Sequence, residues 1–317
     1  MHPARHLTLP VLLALLLPSV LCAATTELFV DNDTNLFVPG PGTDDRDYTE
    51  GIRLNLFEDR PTLRGWETRL PGFARAPRLY SGYGLSQEIY TPDKISNPNL
   101  IRNDRPYVGW LYLSRMLIAE DAHVSRSLEL KLGVIGPSSQ ADRVQTWWHS
   151  ELGIRLPRGW KHQLADEPTV ELRWQERWRP LGYRRYADFV PHVGAALGNS
   201  LTETQAGLTL RCGLRLPDDS GPWRNAPAAA ARLGGRGFTA YVFARGEGRW
   251  VARNIVLDGN TFAPSPQVHR VPFGADAELG AEIGRGRFGL RYVFSYTTQE
   301  FRERYRTPEY GSIVLQF

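Results

Sequence analysis

Gln145 and His149 stand four residues apart in SSQADRVQTWWHSELG, the stretch from Ser138 to Gly153. A histidine that is neutral near pH 7 can take a proton from water, and a glutamine one helical turn earlier can hold the ring or that water. The stretch has a helical pattern. Ser139 is expected as N-cap, with Asp142 three residues on as a variant of the capping box, and Gly153 is the expected stop. Asp142, Gln145 and His149 then share one face, while Val144, Trp147, Trp148 and Glu151 cover others. A helix of about 13 residues is marginal alone in water, so it must dock on something. Tryptophan suits that, with an apolar body and an N–H that tolerates a wet boundary. The same pattern also fits a helix that only plugs or braces a rim, with His149 facing solvent.

Other polar clusters are scattered along the chain: Asn32-Asp33, Asp47-Tyr48-Thr49, Lys94 and Asp104-Arg105. Taken locally, Asn32-Asp33 is an Asx turn, Thr49 is a favourable residue near a strand start, and Lys94 is a solvated charge. No G-x-S-x-G and no H-E-x-x-H occurs, so neither a nucleophile elbow nor a zinc hydrolase is signalled.

What must hold these residues is a set of strands. From Arg270 to Ile283 every second residue is apolar (Val271, Phe273, Ala275, Ala277, Leu279, Ala281, Ile283), and Phe288, Leu290, Tyr292, Phe294 and Tyr296 repeat the pattern. Such period-two runs are strands with one greasy and one polar face. Comparable runs include TEGIRLNLF, YGLSQEIY, YVGWLYLSRMLIAE, SRSLELKLGVIG, VELRWQERW and the C-terminal SIVLQF, and the Gly237–Leu257 run reads as one long strand. About twelve strands result. They are longer than those of a soluble sandwich, and their polar faces carry Arg, Glu and Asp, which a sandwich core would reject. The expected fold is all-β: a twelve-stranded antiparallel transmembrane β-barrel with a short helix in an extracellular loop.

The first 24 residues, with basic MHPARH before an apolar run, read as a cleaved signal peptide, leaving residues 25–317 as a single barrel domain. The mature chain then keeps only Cys212, so no internal disulfide can form. A net charge of +4 gives no argument for nucleic acid. If the first strand rises from the periplasm, every second connection faces outward: 34–47, 91–105, 136–167, 198–204, 258–269 and 299–308. All the polar clusters fall at that outer end. The inner connections FEDRPTLRGWETRLPGFARAPR and PDDSGPWRNAPAAAARLGGRG read as solvated turns.

The pieces NDTNLF, DRDYTEG, QEIYTP, NDRPYVGW, LGVIGPSSQADRVQTWWH and GWKHQLADEP, in this order, resemble the lipid A 3'-O-deacylase family of outer-membrane enzymes. The resemblance spans most of the mature chain. It implies a twelve-stranded barrel whose active site lies between the wall and a helix of an outer loop, and calcium-dependent removal of the 3' acyl group of lipid A. Residue by residue, the family's Asn-Asp pair matches Asn32 and Asp33, its D-Y-T threonine matches Thr49, its Q-x-x-x-H matches Gln145 and His149, and its lysine after IY-x-P matches Lys94. Six residues beyond the histidine, where a member of the family carries glutamate, this chain has Arg155.

On that resemblance His149 is the general base, Gln145 holds the ring or the water, and Asn32 and Asp33 are calcium ligands joined by Thr49 or nearby carbonyls. Lys94 and Arg105 could pair with the lipid A phosphates. The chain is expected as a monomer in the bacterial outer membrane, among outer-membrane lipid, with its site outside. The rivals are a serine-type outer-membrane phospholipase and a silent barrel or porin.

Overall fold

The computed structural model describes residues 24–33, 47–59, 63, 65–73, 76–121, 123–178, 186–217, 219, 221–222, 237–303 and 307–317. The expected signal, apart from Ala24, and nearly all of the first outer connection lie outside the described residues. So does most of the inner connection between the eighth and ninth strands.

Twelve strands form one closed antiparallel barrel. They are β1 Ala24–Asn32, β2 Asp47–Asp59, β3 Arg78–Thr91, β4 Val108–Glu120, β5 Val124–Ile135, β6 Glu167–Trp178, β7 Ala187–Gly198, β8 Leu201–Leu214, β9 Phe238–Asn254, β10 Phe273–Arg285, β11 Phe288–Thr297 and β12 Glu309–Gln316. Each pairs with its chain neighbour, and β1 meets β12 from Glu27 opposite Gln316 to Asn32 opposite Gly311. Closure leaves no strand edge with unpaired backbone groups, which a lipid environment demands.

Alternation runs opposite to that of a soluble protein. In β10, Leu279 is 61% exposed and Ile283 50%, while Glu278 and Glu282, each one residue earlier, are buried. The apolar face therefore looks out to lipid and the charged face into the lumen. Phe273 and Phe288 stand exposed at opposite rims, as membrane-interface aromatics do.

Three local expectations are corrected. The long ninth strand stops at Asn254, not Leu257, because the Asn254 side chain accepts from the Val256 amide and starts the short helix Ile255–Asp258. The tenth begins at Phe273, since Arg270 is drawn aside to bond Asp258 and to bridge Phe301. The β2–β3 connection is no solvated turn. Phe73 is buried against Leu117 and Ala119 of the outer wall, and Glu67 takes an ion pair from Arg115 at 3.0 Å.

Helix α1 spans Ala141–Leu152 in the β5–β6 connection and ends at Gly153 in the left-handed conformation, φ 66°. Its start differs from expectation. Ser139 is not the N-cap; it lies in a one-turn 3₁₀ segment, Pro137–Ser139, where its hydroxyl donates to the Gly136 carbonyl at 2.6 Å. Gln140, with φ 60°, occupies the cap position without a side-chain cap bond, while Ser139 Oγ accepts from the Ala141 amide at 3.4 Å.

Candidate active site

The outer rim of β1–β3 carries a bulge that decides which way its side chains point. Tyr48 is opposite Tyr90 and Glu50 is opposite Ile89, so Thr49 is the extra residue. Tyr48 turns into the lumen, donating to Asp31 Oδ2 at 2.8 Å and packing edge-on against Tyr90 and Tyr310. Thr49 turns outward, its hydroxyl 2.6 Å from that of Thr91. Bulges re-aim side chains in this manner at barrel rims and beside active sites. The Asp33 amide donates to the Thr49 carbonyl at 3.2 Å, bringing Asn32, Asp33 and Thr49 to one place.

Helix α1 lies over the outer face of the same wall, packed on β3 and β4. Gly109 of β4 lets it approach: a Cβ there would stand 2.2 Å from Ala141 Cβ and 2.3 Å from Ser139 Oγ. Gln87 of β3 donates to the Ser139 carbonyl at 2.6 Å. Ile89, Ile95, Tyr107, Ala141 and Trp160 form the apolar seam, joined by Val144. Asp166 accepts from both the amide and the hydroxyl of Ser138. With 12 residues the helix is too short to persist alone in water, so these contacts keep it folded.

Docking buries one face. Gln145 and His149 are enclosed, Asp142 is half-buried, and Trp147 and Trp148 remain exposed. His149, only 3% exposed, does not face solvent as a mere brace would allow. Gln145 Oε1 accepts from Trp160 Nε1 at 2.8 Å, so its carbonyl end anchors the returning loop. Past Gly153 the chain doubles back, and the Arg155 carbonyl meets His149 Nδ1 at 2.5 Å. A carbonyl oxygen only accepts, so Nδ1 carries the proton and the lone pair of the neutral ring sits on Nε2. The group that orients the ring is thus backbone, and the Arg155 side chain takes no part in that contact.

Two candidates stand apart. Lys94 is exposed in the β3–β4 loop, its carbonyl accepting from the Asn97 amide. Arg105 lies on the lumen side of the wall, paired with Asp47 at 3.2 Å and Glu300 at 2.6 Å, with its guanidinium over Phe301. Burial opposes ionisation of Glu300, but Arg105 and Arg249 outweigh it and hold its carboxyl below the ordinary range. Asp104 braces its own loop, accepting from the amides of Asp93 and Arg105. Of the expected site residues, only Arg105 lines the large lumen cavity, about 160 Å³. That lumen is crossed by ion pairs such as Lys131–Glu171 and Arg173–Glu203, which leaves little of the open channel a porin requires.

The oxygen donors gathered at the rim, the Asn32 amide, the Asp33 carboxylate and the Thr49 hydroxyl, are hard ligands of the kind calcium takes. Among the described residues no three His, Cys, Asp or Glu side chains converge as a metal cluster. A cation here would therefore find fewer than three anionic side chains and complete its shell with neutral oxygens. Sequence reasoning missed Trp160, Gly109, Gln87 and Glu50. All four lie within the pieces that resemble the family, and Glu50 had a further signal: it shares parity with Ile52, Leu54 and Leu56, making it a charge on a lipid-facing row.

The sequence profile of the family described as outer membrane protein LpxR matches residues 9–317. No curated protein matches the chain. Among solved structures, LpxR from Salmonella typhimurium is similar with a TM-score of 0.77 and 21% identity, over 92% of this chain and 99% of that one. The β domain of the Bordetella autotransporter BrkA is similar with a TM-score of 0.47 and 12% identity, over 93% and 98% respectively.

Proposed function

Because the chain belongs to the outer membrane protein LpxR family, we propose that this outer-membrane barrel is a hydrolase that removes the 3'-linked acyl moiety of lipid A. The observation that carries the reading is the His149 ring, oriented through Nδ1 by the Arg155 carbonyl in a seam on the lipid-facing side of the wall. A base there meets an ester that never leaves the membrane.

In this reading His149 Nε2 takes a proton from water as the water oxygen attacks the ester carbonyl. The same nitrogen returns the proton to the sugar oxygen as the acyl C–O bond breaks, yielding a free carboxylic acid and a 3' hydroxyl. Gln145 keeps the returning loop on the helix through Trp160, and so keeps the Arg155 carbonyl where the ring needs it. Asn32 and Asp33 would hold calcium, with Thr49 beside them; a bound cation supplies Lewis-acid stabilisation of negative charge at the carbonyl oxygen. Trp147, Trp148, Leu152 and Ile154, all exposed, extend an apolar surface from the helix toward the acyl chains. Lys94 is exposed and suited to a phosphate, whereas Arg105 is already committed to two carboxylates.

The test is mass spectrometry of lipid A from cells expressing the wild type or His149→Gln. The wild type should remove one 3' acyl moiety and the variant should leave lipid A whole. Intact lipid A with the wild type in the presence of calcium overturns the reading. Activity retained by His149→Gln but lost in a serine variant would point to the phospholipase chemistry instead.

A further inference from the structure

One carboxylate in the seam has no counterpart among the residues carried over from the family. Gly51 and Arg53 face the lumen: a Cβ on Gly51 would strike the Tyr48 hydroxyl, and Arg53 pairs with Glu88 at 3.5 Å. Glu50, next to Gly51 in regular pairing, therefore points to the outer face of the wall, in line with Ile52 and Leu54. A charge on that row would ordinarily meet lipid. Glu50 is instead buried, 7% exposed.

Its neighbours are those of the candidate site. Glu50 lies directly opposite Asn32 of β1 on one side and Ile89 of β3 on the other. Side chains directly opposed across antiparallel strands have Cβ atoms about 4.5–5.5 Å apart, within reach of a shared ion. Ile89 in turn packs in the seam with Ala141 of α1. The bulge matters here. Without the extra residue, Thr49 would face the lumen; with it, Thr49 and Glu50 are consecutive on the outer face, beside Asn32 and Asp33.

We propose that Glu50 is a cation ligand, the second carboxylate of a site whose other donors are Asp33 and the Asn32 amide. The proposal rests on the calcium-assisted reading above. Its physical basis is charge count: one carboxylate with neutral oxygens binds a divalent ion weakly, and a second, enclosed beside it, raises affinity. Position 155 of this chain offers no acid, since its side chain is an exposed guanidinium and its carbonyl serves the histidine. Here the second negative charge comes from β2 rather than from the loop after the helix.

The test uses the full barrel purified in detergent, with calcium binding followed by displacement of terbium luminescence, for the wild type, Glu50→Gln, Glu50→Asp and the lumen control Glu278→Gln. Folding of each is checked by the mobility shift of unheated samples on gels. Glu50→Gln should weaken calcium binding by about tenfold or more through loss of one anionic ligand. Glu50→Asp should fall between it and the wild type, and Glu278→Gln should match the wild type. Glu50→Gln should also recover deacylation at raised calcium. Wild-type affinity in both folded Glu50 variants overturns the proposal. A wild type that binds no calcium yet deacylates lipid A overturns it too, while leaving the deacylase reading standing.

Discussion

One sheet separates two polar regions built on opposite plans. Inside the barrel, buried charges are dense and mutually compensated: Arg245 meets Glu247 at 3.0 Å, Arg249 meets Asp276 at 3.2 Å, and even His192 is held by Glu247 at 3.1 Å. On the outer wall beneath α1 the seam is apolar and is fastened by neutral hydrogen bonds, such as Trp160 to Gln145 and Gln87 to Ser139. Buried ions survive only when paired, and a paired ion has little left to offer a substrate. His149, by contrast, is oriented through Nδ1 by a neutral backbone carbonyl rather than by a carboxylate. The difference teaches that a roomy cavity rich in titratable groups can be the filling of the barrel, whereas the proposed site lies on the far side of the wall.

The widest separation between the regions is expected from their two histidines. His149→Gln should lower deacylation roughly 10²- to 10⁴-fold, the usual contribution of a positioned general base. His192→Gln, in the lumen, should leave the rate within a few-fold, measured on lipid A in detergent micelles. Equal losses in the two would abolish the distinction.

Gly109→Leu tests whether the seam must be closed. The new side chain would push against Ala141 and Ser139 and lift α1 from the wall. The rate should drop about 10²-fold, the scale of a misplacement near 1 Å, while unheated gel mobility still reports a folded barrel. Unchanged activity would mean the docked helix does not position the base.

The smallest effect concerns the lumen side. The folded-state pKa of Glu300 is depressed, so its ion pairs with Arg105 and Arg249 stabilise the barrel fully above its ordinary value of 4.5. That contribution is lost as pH falls through the depressed folded value. Thermal unfolding in detergent should therefore show the wild type losing its advantage over Glu300→Gln in acid. A gap that is constant between neutral pH and about pH 3 would contradict the linkage.

Much of the fold was legible because period two is a local property. Leu279 and Ile283 against Glu278 and Glu282 declare two faces whatever their partners are, and the count and parity of such runs place Asn32, Thr49, Lys94 and His149 at one rim. Gly153 as the helix stop is likewise local, since the turn there needs a left-handed residue. Where a tertiary contact competed, local rules failed. Ser139 has the right type for an N-cap, yet it sits one residue before the cap position, its hydroxyl donating to Gly136 in the 3₁₀ segment that packs on Gly109. Arg105 looked available for phosphate because its carboxylates, Asp47 and Glu300, lie far away in the chain.

The sequence by itself determined the barrel, its strand number, the end at which polar clusters gather and the spacing of Gln145 and His149, because each follows from near-neighbour periodicity. Only the tertiary structure decided that the cluster lies on the outer wall, that Arg155 serves through its carbonyl, and that a bulge sets Thr49 beside Glu50. The physical reason is that side-chain direction flips with a single inserted residue, and hydrogen-bond partners are chosen across the closed sheet and its docked loops rather than along the chain.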